Sequence, residues 1–468
     1  MRKVMVCLRS PMRQLTALLL LTGCLTTFGR CAAETPRSTS ELIRRLEAGE
    51  RQNIVVYGTS LTAGGGWVSQ LTNQLNADYP GQISWSNGAL SGKASNSGLA
   101  RLPERVLAHN PDAVFIEFAT NDAFIAYDEG DIDAGITPSQ ARANLLAMVE
   151  QVRAQNPAAQ IVLQTMNPAW DAPNGNGSGS KRPLLEQYFQ VYREVASEKG
   201  LLLIDNYPVW QTLRANSLDE FSQRVADGVH PDATGYQRYV TPAIRYALGA
   251  EMGLTLLVDV ETGRTAMINQ SEDARELIGY TISSPSGSLL PDWDSLAGQA
   301  LAGWSEANPT PANLSELNAT GSAAIAAGGL HDLGHAWDET MPLDLSFRYQ
   351  TTDGTNHTGA VVYTTDKPAL GRSLGDYNSD GVVNAADYTV WRDTLGKTGF
   401  NLVADGDGNL NVDESDLEVW ASHYGLTLRP STNTLEVPEP ATALLLCVAL
   451  ARRCSEPYRS TLVGYTIR

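Results

Sequence analysis

Four short apolar runs stand out in the first half of the chain: Ile54-Val55-Val56-Tyr57, Ala113-Val114-Phe115-Ile116-Glu117-Phe118, Ile161-Val162-Leu163 and Leu201-Leu202-Leu203-Ile204. Each is bounded by Gly, Pro or Asn. Consecutive apolar positions over so short a length predict strands covered on both faces, as in a parallel sheet. Between the runs the pattern is helical. Leu185, Tyr188, Val191, Tyr192 and Val195 recur with a period of about 3.6 residues, and Gly200 stops the helix. Strand–helix alternation over residues 34–250 predicts an open α/β sheet with helices on both faces. In such sheets chemistry collects at the carboxyl ends of the strands.

Beyond residue 250 the period shortens to two. Leu254 to Val260, the turn Glu261-Thr262-Gly263-Arg264 and Ala266-Met267-Ile268 read as a hairpin. Leu343, Leu345, Phe347 and Tyr349 alternate with polar residues, Thr352-Asp353-Gly354 turns the chain, and Ala360 to Tyr363 return. Residues 251–366 are expected to form a β-sandwich, a spacer or a carbohydrate-binding unit. His331 and His335, four apart without a further ligand nearby, read as structural.

Composition narrows the function. Of 468 residues 43% are hydrophobic and 18% charged, which suits a multidomain globular chain rather than a disordered one. The net charge of -18 argues against a nucleic-acid partner, because phosphates are repelled. All five cysteines lie at the ends: Cys7, Cys24, Cys31, Cys447 and Cys454. The body therefore has no disulfide framework, no thiolate nucleophile and no Cys-ligated metal. Residues 1–33 read as an export signal, with Arg2, Lys3, Arg9 and Arg13 ahead of the apolar Ala17 to Leu21. Two endings stay open: cleavage near Cys31-Ala32-Ala33, or lipidation of Cys24 in Leu21-Thr22-Gly23-Cys24. Either predicts an exported, extracellular or surface-bound body.

Candidate chemistry sits where the strands end. Ser60 follows the first run in Gly58-Thr59-Ser60-Leu61-Thr62-Ala63-Gly64, a turn that exposes a hydroxyl above the sheet, although serine in such a turn is usually a turn residue. Asn121 and Asp122 follow the second run, where an Asn amide can donate to an oxyanion or simply cap a turn. Gly92, in Asn87-Gly88-Ala89-Leu90-Ser91-Gly92, offers a backbone N–H. Only His109 and His230 lie in residues 34–250, and His109, just ahead of a strand, belongs to the opposite edge. His230 is therefore the available base, and Asp227, three residues earlier, can reach its second nitrogen. The loop Asp171-Ala172-Pro173-Asn174-Gly175-Asn176-Gly177-Ser178-Gly179-Ser180 also falls on the active edge, as a substrate lid or a plain insertion.

These loops, in order over roughly residues 52–247, resemble the four blocks of SGNH (GDSL-type) hydrolases, especially the thioesterase/lysophospholipase/arylesterase branch. The second block matches along its length, from Asn87 to Pro103. The resemblance implies a flavodoxin-like parallel sheet flanked by helices, with Ser60 as nucleophile and Asp227 with His230. It implies Gly92 and Asn121 as oxyanion donors beside the Ser60 N–H. It implies ester or thioester substrates, and no cofactor is expected for catalysis. Two positions depart from the pattern: Thr59 stands where the family has Asp, and Ala119 where it has Gly. Polysaccharide deacetylation is the expected activity. The alternatives are a lysophospholipase or thioesterase, or a non-catalytic calcium-binding surface protein carrying a dead hydrolase domain.

Residues 370–428 hold a repeat. Asp376, Asn378, Asp380, Asn384 and Asp387 place side-chain oxygens at loop positions 1, 3, 5, 9 and 12, the Val382 carbonyl adds position 7, and Gly381 takes the turn at position 6. Asp405, Asp407, Asn409, Asp413 and Asp416 repeat the register, with Leu410 in place of the turn glycine. A hard cation such as calcium favours oxygens so spaced. Each loop precedes an amphipathic helix, and loop plus helix, twice, resembles a small α-helical type I dockerin module, which implies a cohesin-like partner. Residues 429–468 form a linker and a tail, with Val437-Pro438-Glu439-Pro440, an apolar run and Arg452-Arg453, that resembles a PEP-CTERM sorting signal.

Overall fold

The structure, a computed structural model, describes residues 39–173, 175–365, 375–378, 382–398, 402–406 and 411–425. The expected export signal, Cys24 and the sorting tail lie outside the described residues. Strands β1 (Gln52–Gly58), β2 (Ile83–Asn87), β3 (Ala113–Glu117), β4 (Gln160–Thr165) and β5 (Leu202–Asp205) form one five-stranded sheet in the order β2-β1-β3-β4-β5. Every pairing in it is parallel. This is the flavodoxin-like order, whose switch point lies between β1 and β3. The central strands are apolar because both faces are covered: Val55, Val114 and Ile116 are fully buried. The helix Leu185–Lys199 buries the expected face and ends at Gly200.

Sequence patterning misses β2. Its Ile83-Ser84-Trp85-Ser86-Asn87 mixes polar and apolar residues because it is an edge strand, half-covered on each face.

The next region is β-rich, as expected, and folds in one hydrogen-bonded path. Its strands are β6 (Gly253–Asp259), β7 (Arg264–Gln270), β8 (Arg275–Ser283), β9 (Trp304–Glu306), β10 (Asn313–Asn318), β11 (Ala323–Ile325), β12 (Leu330–His335), β13 (Ser346–Thr351) and β14 (Asn356–Thr364). They run β12-β7-β6-β14-β13-β8-β10-β9, with β11 also on β8. The expected β6–β7 and β13–β14 hairpins are antiparallel, but β14 also pairs parallel with β6 and joins the two halves of the path. The β-rich region expected over 251–366 is thus present, its strands joined in one continuous hydrogen-bonded order. His331 and His335 lie on β12, not on a helix. His335 Nε2 meets Glu339 at 2.9 Å, and burial lowers the pKa of His331.

This region shares its apolar core with the α/β domain. Tyr363 of β14 packs against Tyr239, with ring centroids 6.1 Å apart, and against Trp337 at 6.3 Å. Arg238 Nη2 donates to the Leu343 carbonyl at 3.1 Å, and Asn216 Nδ2 donates to the Met341 carbonyl at 3.0 Å.

The repeat forms two helices, Ala385–Thr394 and Glu414–His423, related by reciprocal contacts. Trp391 Nε1 donates to the Asp413 carbonyl and Trp420 Nε1 to the Asn384 carbonyl, each at 2.8 Å.

Candidate active site

Ser60 opens the short helix Ser60–Ala63 directly after β1. Thr59 caps it: its Oγ1 accepts the Leu61 N–H at 3.2 Å and donates to Glu117 Oε2 at 2.8 Å. As the first residue of that helix, Ser60 has a backbone N–H with no intrahelical acceptor. The parallel sheet brings the ends of β1, β2 and β3 to one edge, with Ser60 and Asn121 on either side of the switch point.

Asp227, Gly228, Val229 and His230 lie beyond β5, past the helix Leu218–Arg224. His230 Nε2 is 2.7 Å from Ser60 Oγ, and His230 Nδ1 is 2.7 Å from Asp227 Oδ2. The other carboxylate oxygen of Asp227 accepts the N–H groups of Val229 at 2.9 Å and His230 at 2.8 Å. Burial opposes ionisation of Asp227, yet these backbone donors and the imidazole hold its pKa below the ordinary value. The turn requires glycine at 228: φ is +89°, and a Cβ there would sit 2.4 Å from the Trp170 carbonyl. His109 lies away from this edge, beside Ser86 ahead of β3.

Asn121 is buried, 6% exposed, and its Nδ2 donates to the Lys93 carbonyl at 3.0 Å. Gly92 turns at φ +72°, exposed, and its carbonyl accepts the Tyr127 hydroxyl at 3.3 Å. The structure thus brings Ser60, His230 and Asp227 into one relay. Asn121 and the Gly92 loop meet through Lys93.

Sequence reasoning missed four supporting groups. Asn167 and Trp170, just past β4, hold the His230 loop: Asn167 Nδ2 donates to the Val229 carbonyl at 2.8 Å and Trp170 Nε1 to the Val225 carbonyl at 2.7 Å. An Asn-Pro pair at a strand end was the available signal for the first. The other two are buried acids at the end of β3. Glu117 accepts the Thr59 N–H at 3.1 Å and the Thr59 and Thr62 hydroxyls, and Asp122 accepts the Ser95 N–H at 2.7 Å. The 171–180 loop is closed on itself: the carboxylate of Asp171 accepts the Ser180 N–H at 2.9 Å and the Ser180 hydroxyl.

Burial pushes Glu117 from an ordinary 4.5 to about 8, against its hydrogen bonds from Thr59 and Thr62. Burial also pushes Asp122 from 3.8 to about 7. Between an unfolded value of 4.5 and a folded value of about 8, the native state holds a proton on Glu117 that the unfolded chain has lost. Stability therefore falls as pH rises through that window and levels off above it. Glu117→Gln is expected to flatten the fall, leaving the share of Asp122. Denaturant unfolding of both proteins at pH ~5 and ~8 measures this, and an unchanged slope would refute it.

In the repeat, Asp376 and Asp387 are buried, 3% and 0% exposed, in one loop. Asp387 accepts the N–H groups of Asn378 at 2.9 Å and Asn384 at 2.8 Å, and Asn384 Nδ2 donates to the Val382 carbonyl at 3.1 Å. Asp416 repeats the arrangement, accepting the N–H groups of Gly406 at 2.6 Å and Asp413 at 2.7 Å, and Asp405 begins that loop. Asp380, Asp407 and Asn409 lie outside the described residues. Among the described residues no three His, Cys, Asp or Glu side chains gather as a metal site. The described donors are all oxygen, the kind a hard cation takes.

A sequence profile of the GDSL-like Lipase/Acylhydrolase family matches residues 56–238. The esterase TesA of Pseudomonas aeruginosa is 27% identical over 219 residues, covering 46% of this chain and 89% of that protein. The thioesterase 1/protease 1/lysophospholipase L1 of Escherichia coli is 25% identical over 191 residues, covering 40% and 78%. Among solved structures, the acetylxylan esterase Axe2 of Geobacillus stearothermophilus is similar at 24% identity and a TM-score of 0.37, covering 43% of this chain and 96% of that one.

Proposed function

We propose that this ester hydrolase of the GDSL-like lipase/acylhydrolase family is an exported serine esterase that removes short acyl groups from polysaccharide. Ser60 attacks the acyl carbon, His230 takes its proton and passes it to the leaving alcohol, and Asp227 holds the imidazole with its proton on Nδ1. The Ser60 and Gly92 N–H groups and the Asn121 amide receive the oxyanion. Water, activated by the same His230, then releases the acid from the acyl-enzyme. The observation that carries this reading is the unbroken path from Ser60 Oγ to His230 to Asp227, each step 2.7 Å. The names of the two sequence relatives support ester cleavage. The preference for polysaccharide rests on the dockerin-like repeat, whose Asp376, Asn378, Asp380, Val382, Asn384 and Asp387 would hold calcium and present a cohesin-like partner. Calcium would order this module and supply no catalysis.

One experiment on the full chain tests both parts. In its first arm, acetylated xylan and p-nitrophenyl acetate should be cleaved, with rates falling as the acyl chain lengthens; a preference for lysophospholipid or long-chain thioesters would overturn the substrate assignment. In its second arm, calorimetry should show calcium binding that Asp376→Ala weakens, while chelation leaves ester hydrolysis intact. Absence of binding would remove calcium from the account.

A further inference from the structure

A carboxamide is a donor at one end and an acceptor at the other. Asn121 can stabilise an oxyanion only with its nitrogen toward the acyl oxygen, because the opposite flip would present oxygen to oxygen. Something must fix that choice, and Asn121 has two contacts that do. Its Nδ2 donates to the Lys93 carbonyl at 3.0 Å, which occupies one of its two N–H bonds. Its Oδ1 accepts from Arg182 Nη2 at 3.3 Å. A guanidinium carries only donors, so this contact admits the amide in one orientation alone.

Arg182 is itself held on several sides. Its Nε donates to the Thr120 carbonyl at 2.8 Å, its Nη1 donates to the Ser178 carbonyl at 3.2 Å, and its guanidinium lies 4.9 Å from the centre of the Phe124 ring. The planar fork thus grips two consecutive residues, Thr120 and Asn121, at the turn that ends β3. All its polar contacts among the described residues are neutral oxygens, and it makes no ion pair there. A half-buried guanidinium without a carboxylate keeps its charge available to the field around it.

We propose that Arg182 is a positioning residue for the oxyanion site, fixing the flip of Asn121 and lending its unneutralised charge to the donor. This rests on the assignment of Asn121 above. It gives the closed 171–180 loop a role as well: that loop ends just before Arg182, and its Ser178 carbonyl anchors the guanidinium.

The test is a double-mutant cycle on the full-length enzyme with a short-chain acyl ester. Asn121→Ala should lower kcat by about 10²–10³ with KM little changed. Arg182→Met should lower kcat by about 10–10², again with KM nearly constant, because a misoriented donor is a donor partly lost. In the Asn121→Ala background, Arg182→Met should change kcat by less than about three-fold. Arg182→Lys keeps the charge without the fork and should fall between wild type and Arg182→Met. A boronic acid that forms a tetrahedral adduct on Ser60 should lose affinity in parallel with kcat/KM, whereas product acid should bind as before; a purely structural role would not separate the two. If Asn121→Ala keeps its kcat, the oxyanion assignment itself fails. If Asn121→Ala loses kcat but Arg182→Met is as active as wild type, or its loss multiplies undiminished with that of Asn121→Ala, the role of Arg182 is overturned. Should Arg182→Met fail to fold, Arg182→Lys carries the same cycle.

Discussion

Ser60→Ala is expected to reduce ester hydrolysis by about 10⁵–10⁶ while leaving the fold intact. In this reading the hydroxyl is the group that bonds to the acyl carbon, and its proton has His230 Nε2 as acceptor at 2.7 Å. What survives in such a variant is the oxyanion site and substrate binding, worth roughly 10³–10⁴ over water. Stability should hardly move, because Ser60 starts a helix whose cap is supplied by Thr59 and because its hydroxyl turns toward the half-exposed His230. Steady-state kinetics and thermal melting on one preparation decide the matter. Turnover near the wild-type rate in a folded Ser60→Ala protein would mean that another residue attacks the ester.

Asp227→Asn should be nearly as damaging, by about 10⁴ in kcat at neutral pH. Two backbone N–H groups, from Val229 and His230, point at Asp227 Oδ1. They need an oxygen there, so the new amide must place its nitrogen where Oδ2 was, 2.7 Å from His230 Nδ1. An N–H facing Nδ1 makes that nitrogen an acceptor and moves the imidazole proton to Nε2. Nε2 then faces Ser60 as a donor and cannot take its proton. The melting temperature should stay close to that of the wild type, since the turn keeps both backbone bonds. A variant within about ten-fold of wild-type kcat would show that Asp227 does not set the tautomer.

Ser60, Asp227 and His230 were legible as candidates because each sits at a break in pattern, and because His230 had no rival in the α/β domain except His109. The central strands were legible for the same reason that they are central: covered on both faces, they tolerate few polar residues. The edge strand β2 carries no such constraint and left no signal. Glu117 was hidden differently. It sits inside an apolar run, and its carboxyl accepts hydrogen bonds from Thr59 and Thr62 beneath the turn that carries Ser60. Thr59 stands directly over this buried group, bonded to it through both its N–H and its hydroxyl. It keeps the cap as well. Arg182 was invisible for a simpler reason: nothing in a Lys-Arg-Pro segment says that its side chain reaches Thr120 and Asn121, past the end of β3.

The common core of the α/β and β-rich regions bears on how such a chain is inherited. The change of pattern near residue 250 suggests a seam at which an ancestral enzyme was joined to a new neighbour. The packing says otherwise. Tyr239 and Tyr363 cover each other, Ala250 is fully buried, and the carbonyl of Leu343 receives the Arg238 side chain. A recombination event that exchanged everything after residue 250 would strip this cover from the catalytic half and leave aromatic surface wet. The residues around Tyr377, Trp391, Ala404 and Val412 form a small core of their own. The repeat with its own core, and the enzyme with its sheet attached, are therefore the two units that a tolerated exchange would leave whole.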